Sequence, residues 1–227
     1  MPSFVQTLLG GSTPGLATSI TITGSKTVTV GNDIYLLVGH DAVGSETSAT
    51  DNLGNTYYLI HVYDGPPKCV ITRSRQALWR AKVTNAGTLT SQTATWNSSS
   101  IGGGAAASIE IVGPVTTANG LDCNGLATSA SITTAAVSGV LLWTIALRPA
   151  DAAVTGYTPP TGYTNAWFVG ATGSLQAGVA FDYLVGTASG TLTASWTNNA
   201  EFTLKHTQVT DTPLFVPQII RTVYALR

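Results

Sequence analysis

At 227 residues the chain is long enough for one large all-β domain or two small ones, and for a core that needs no disulfide. Charged residues are only 9% and the formal net charge is −1, which excludes the charge-rich composition of disordered chains and the basic footprint of a nucleic-acid binder. Cys69 and Cys123 make neither a disulfide framework nor a metal spacing, so free buried thiols are expected.

No stretch sustains a helical period, because Gly, Pro and Asn interrupt first. Residues 1–9 lack a basic segment and a long enough apolar run for a signal peptide, so a product made in the cytoplasm is expected. No run approaches the ~20 apolar residues of a membrane span. In the first half, strands are predicted over Phe4–Leu9, Ser19–Thr23, Thr27–Val30, Ile34–Gly39, Thr56–Tyr63, Arg75–Val83, Thr88–Trp96 and Ala106–Val112. Val28 and Val30 are expected inward, with Thr27 and Thr29 outward. His40 reads as a surface or edge residue; beside Asp41 on a strand it forms no dyad, since neighbours point to opposite faces. Asp51, Asn52 and Asn55 could supply oxygens to Ca²⁺, but a hydrogen-bonded Asx turn is the simpler reading. Arg80 and Lys82 share one solvated strand face, and Glu110 falls on an outer face or between sheets.

Pro114 to Ala127 is the expected boundary, dividing 1–114 from 115–227. In the second half, strands are predicted over Ala130–Thr133, Gly139–Leu147, Thr164–Ala171, Gln176–Val185, Thr191–Trp196 and Ile219–Leu226. Val137–Leu147 is the most apolar segment and reads as a buried strand. Asp151–Gly162 is a connection rich in Pro and Gly, and Asp211–Pro217 is a Pro-bracketed loop.

These elements repeat. Gly87-Thr88-Leu89-Thr90, leading to Trp96, recurs as Gly190-Thr191-Leu192-Thr193, leading to Trp196. Ala77–Val83 is echoed by Val179–Val185, Asp51–Tyr58 by Thr158–Thr164, and Ala107–Val112 by Ile219–Leu226. The spacing of roughly 100 residues is longer than the 20–50 of solenoid and propeller repeats. The expected fold class is therefore all-β, a jelly-roll-like antiparallel β-sandwich built from two similar halves; two small tandem β-sandwiches are the alternative. Trp96 and Trp196, at equivalent strand ends, are expected to plug the core of each half.

Catalytic signals are sparse. None of the hydrolase, zinc, nucleotide or dinucleotide motifs is present, and Glu110 and Asp182 each stand alone on a strand, against the paired carboxylates of glycosidases. No catalytic residue, cofactor or metal is assigned. Tyr157, Tyr163 and Trp167 are the candidate carbohydrate contacts, because Tyr157 and Tyr163 flank the Pro159-Pro160 turn. The Asn97-Ser98-Ser99 sequon reads as a turn. Phe4, Val5 and Leu8 near one terminus, and Leu214, Phe215, Val216 and Ile219 near the other, are the candidate partner contacts, with the termini tied down on a neighbouring copy.

One order of motifs is familiar. The Asp51 to Tyr57 turn is followed by the Leu78-Trp79 strand, the Gly87 to Trp96 strand, the Ile109 to Pro114 segment and the Pro159 to Thr164 turn. This order resembles β-sandwich structural proteins of tailed bacteriophages and prophages, and lectin-like modules of bacterial surface proteins. The resemblance implies a head decoration, head fibre or tail component, carried in the virion as a homo-oligomer against other capsid or tail proteins. It brings no catalytic residue. The alternative it leaves open is a carbohydrate- or receptor-binding module that meets a host-surface glycan.

Overall fold

The computed structural model describes residues 2–41, 46–64, 74–100, 103–113, 115–121, 126–173 and 176–209. Every regular element among them is a β-strand. The first half contains β1 (Ser3–Thr13), β2 (Ala17–Val28), β3 (Asp33–His40), β4 (Glu46–Asp51), β5 (Tyr57–Asp64), β6 (Arg75–Lys82), β7 (Gly87–Ser100) and β8 (Gly104–Val112). They form a large sheet in the order β1-β8-β3-β6-β5 and a small sheet in the order β2-β7-β4. All of these pairings are antiparallel. This is a jelly-roll order with one change: β5 adds to β6 at the edge of the large sheet instead of lying beside β4.

The second half contains β9 (Val115–Leu121), β10 (Ala127–Pro149), β11 (Tyr157–Thr158), β12 (Thr164–Val169) and β13 (Gly178–Val209). Residues 140–147 of β10 pair with 178–185 on one side and with 202–209 on the other. Partner numbers fall as the β10 numbers rise, so both registers run antiparallel. β12 flanks the 179–183 limb and β9 flanks the 204–209 limb. The large sheet thus repeats the order β1-β8-β3-β6-β5. The remaining limbs, 129–138 and 187–195, pair with each other, and β11 adds beside the latter, repeating β2-β7-β4. Gly139 and Gly186 face each other where the two limbs meet, with φ of 130° and 153°. Side-chain-bearing residues avoid such angles, so the paired glycines let two long strands bend together from one sheet into the other.

Alternation along the strands builds three cores. Ile34, Leu36 and Val38 of β3 enter the first half's own core with Ile20, Ile22 and Leu89. Leu141, Trp143, Ile145 and Leu147 enter the second half's core with Ile132 and Leu192. The opposite faces of the same strands, Tyr35 and Leu37 against Val140 and Leu142, make a third core that joins the two large sheets. The result is four layers: small sheet, large sheet, large sheet, small sheet. β3 is buried at all eight positions because both of its faces are covered. Gly39 marks a close approach across this seam; a Cβ there would lie 2.7 Å from Val179 Cγ1 and 3.0 Å from Ala146 Cβ. Phe4 stacks on Tyr183 at 3.7 Å, and Gln76 meets Thr144 at 3.2 Å, also across it.

Several expectations need correction. β4 was not anticipated, because Glu46-Thr47-Ser48-Ala49-Thr50-Asp51 carries one apolar residue. β9 lies within the expected Pro114–Ala127 boundary, where no strand is predicted. The counterpart of Ala107–Val112 is the 200–209 limb of β13, not Ile219–Leu226, which lies outside the described residues. That limb escaped notice because its second face is polar: Thr203 and Thr207 are fully buried. Val28 points inward, but Val30 is 55% exposed, since the chain leaves the strand before the Gly31 turn. Cys69, Cys123 and the Asp211–Pro217 loop also fall outside the described residues.

Candidate functional site

Two halves with one strand order invite comparison, and they differ most in one row of the large sheet. In the first half Leu59, Trp79, Leu36 and Ser108 stand in register across four strands. In the second half the same row holds Asn165, Asp182, Trp143 and His206. A buried acid and a histidine replace an apolar residue and a serine.

Asp182 is fully buried and accepts two hydrogen bonds, one from the Tyr157 hydroxyl and one from Asn165 Nδ2 at 2.6 Å. Burial raises its carboxyl to about 7, against the lowering effect of those donors. Burial, and then the charge of Asp182, raise the Tyr157 hydroxyl well above the ordinary tyrosine value. The Tyr157 ring stacks on Phe168 at 5.4 Å. Tyr163 donates to or accepts from His206 Nε2 at 2.6 Å, and its ring meets Trp143 edge-on at 6.2 Å. Burial lowers the His206 pKa, which favours the neutral imidazole.

The first half solves the same packing problem with different partners, a glutamine and an aspartate. Tyr57, at the head of β5 as Tyr163 is at the head of β12, accepts from Gln92 Nε2 at 2.7 Å and donates to Asp51 at 3.1 Å. Ser108 donates to Gln92 in turn. Gln92 lies four residues before Trp96, and Leu192 lies four before Trp196. Where leucine replaces glutamine, the longer side chain of His206 reaches the tyrosine directly.

A carboxyl titrating near neutrality has the affinity a proton-transfer group needs. Here, though, Asp182 accepts from Tyr157 and Asn165, and the pairing of Tyr157 ties β11 to β13. The three carbohydrate candidates do not share one open face. Tyr163 is 7% exposed in the second core, Tyr157 packs beside it, and Trp167 turns to the seam, where Nε1 donates to the Ser108 carbonyl at 3.0 Å. Neighbouring positions of β12 point to opposite faces, which separates Trp167 from Phe168 and its tyrosine partner.

Several other polar residues are also engaged, whereas the buried ring nitrogens of His61 and the hydroxyls of Thr203 and Thr207 have no hydrogen-bond partner among the described residues. His40 is buried, a correction to the surface expected; it pairs with Glu46 at 2.8 Å and stacks on Trp96 at 4.6 Å. Burial pushes the Glu46 carboxyl up, but the hydrogen bond and charge of His40 outweigh it and hold the group below its usual value. Arg148 bridges Asp41 of the other half at 3.5 Å and Glu201 at 2.9 Å. Arg80 and Lys82 both reach buried Asp33. Glu110 lies between the sheets, accepting from Gln6, Asn32 and the Thr29 amide. Asp51 accepts from the Leu53 and Asn55 amides, the Asn55 side chain and Tyr57, which is an Asx turn. Among the described residues no three His, Cys, Asp or Glu converge as metal ligands, and no helix is long and apolar enough to cross a membrane.

Of the partner candidates, Val5 is 40% exposed, Phe4 is committed to Tyr183, and Leu8 lies in the first core, a correction. Leu214, Phe215, Val216 and Ile219 lie outside the described residues. The sequence carries a stronger signal. The pentapeptide Gly-Leu-Ala-Thr-Ser stands at 15–19 and again at 125–129. Its leucines, Leu16 and Leu126, are 79% and 53% exposed. Its alanine carbonyls accept from the equivalent tryptophans, Trp96 Nε1 to Ala17 at 3.0 Å and Trp196 Nε1 to Ala127 at 2.9 Å. Comparison with known protein families, with characterised proteins and with solved structures finds no match to this chain.

Proposed function

We propose that the chain is a non-enzymatic structural protein of a bacteriophage particle, a capsid-decoration or tail-surface subunit present in many copies. The observation that carries this reading is the duplicated jelly roll joined back to back through a continuous core. Such a block presents like surfaces at both ends, which suits a repeated building unit. Asp182, His206, His40, Glu46 and Glu201 are instead tied into the packing by hydrogen bonds or ion pairs. The phage assignment itself rests on the resemblance of the turn and strand motifs. Jelly rolls also serve as lectin domains, so fold alone supports the carbohydrate-binding alternative equally. Against that alternative, the hydroxyls of Tyr157 and Tyr163 are already bonded inside the protein.

The test is quantitative mass spectrometry of purified particles released from cells that express the gene. Many copies per particle support the structural role; absence from particles, together with glycan binding by the isolated protein, would replace it with the receptor-binding reading.

A further inference from the structure

The two outer layers share an unusual surface. Where β2, β7 and β4 pair, Ser19, Thr21, Thr93, Thr95, Ser48 and Thr50 stand on the face away from the core. At the far end of the stack, Ser129, Ser131, Thr133, Thr191, Thr193 and Ser195 do the same. Neither set contains a charge. The hydroxyls pair across strands, Thr21 with Thr93 at 2.8 Å and Ser131 with Thr193 at 2.7 Å. Beside each face, at the start of its edge strand, stands an exposed leucine of the repeated pentapeptide, on a corner that a tryptophan indole pins from below.

We propose that each end is a docking surface for a second copy of this chain, so that copies join end to end through the small sheets. The proposal rests on the structural role above and names the partner. Three observations point to a copy rather than another molecule. A hydroxyl both donates and accepts, so an array of Ser and Thr is complementary to itself, which a charged face is not. Neither array carries a charge, and the chain's net charge is only −1, so two copies meet without repulsion. The halves have diverged elsewhere, as Trp79 and Asp182 show, yet the pentapeptide and its exposed leucine stand unchanged at both ends. The indole bonds to Ala17 and Ala127 hold the backbone beside each leucine in the same way at both ends.

Because the ends are alike, each copy has two equivalent sites, and assembly has a countable signature. Light scattering of purified protein at rising concentration should show wild-type mass climbing past the dimer. Leu16→Asp alone and Leu126→Asp alone should each stop at the dimer, and the double variant should stay monomeric. Both leucines are exposed, so the fold should survive, as circular dichroism would check. A second pair, Thr21→Lys with Thr193→Lys, places charge within both faces and should also give monomers. A monomeric wild type, or a double leucine variant that assembles like wild type, overturns the proposal. Particle composition reads the structural role separately: a monomeric protein still found in particles removes the end-to-end contact alone, while assembly in solution without incorporation removes only the virion role.

Discussion

Asp182 is a fully buried carboxylate whose two hydrogen-bond partners are uncharged. Its carboxyl is held near 7 in the folded chain, against an unfolded value of 3.8. The folded state therefore binds its proton more tightly, and this contribution to stability is fully present below pH 3.8. It is lost as pH rises toward 7, a change on the order of 4 kcal/mol. Asp182→Asn should flatten that part of the profile, because an amide can still bond Tyr157, whose hydroxyl can turn from donor to acceptor. Melting temperature against pH, wild type beside variant, checks it; parallel curves would mean that Asp182 does not titrate in this window. His61 acts in the opposite sense. Burial, helped by the charge of Lys205, lowers its pKa to about 4, so its contribution is present above pH 6.5 and disappears on acidification toward 4. Trp96 and Trp196 make the same bond at equivalent places. Trp96→Phe and Trp196→Phe should each cost about 1–2 kcal/mol in urea denaturation, by stranding an alanine carbonyl and leaving a small void. A large difference between them would break the equivalence of the halves.

At the scale of elements, the decisive feature is the paired bend of β10 and β13. In the first half the chain passes between sheets through a turn at Gly31, and β2 and β3 are separate strands. In the second half two strands cross together, and Gly139 and Gly186 make that possible. Gly186→Val should cost about 1–3 kcal/mol, because a branched side chain is forced into a backbone region it avoids. A stability within experimental error of wild type would show that the bend tolerates side chains. β4 and β9 illustrate what pattern reading misses. β4 is a polar edge strand held by backbone pairing to β7, and its composition resembles a loop's.

For the whole molecule, the seam between the large sheets decides the shape. Its apolar part is the third core, and its polar part includes the Arg148 bridge between the halves. Arg148→Met should cost about 3–5 kcal/mol, since two buried carboxylates would lose their guanidinium. Lys82→Met, whose side chain is half exposed beside Asp33, should cost well under 1 kcal/mol. Urea midpoints for the two variants test this contrast, and comparable losses would mean that burial of the bridge does not govern its worth.

The sequence by itself determined the strand class, the duplication and the equivalence of Trp96 and Trp196. Turn residues and alternating apolar positions are local, and a repeat is visible wherever both copies keep the same constraint. It also held the Gly-Leu-Ala-Thr-Ser repeat in plain view. Tertiary structure alone decided that strands such as β3 are buried on both faces, because a face is covered only when distant strands bring a second sheet to it. The same holds for the Asp182–Tyr157 and Tyr163–His206 pairs, whose members lie 25 and 43 residues apart. No local pattern marks such partners; they meet because antiparallel registers set Asn165, Asp182, Trp143 and His206 side by side.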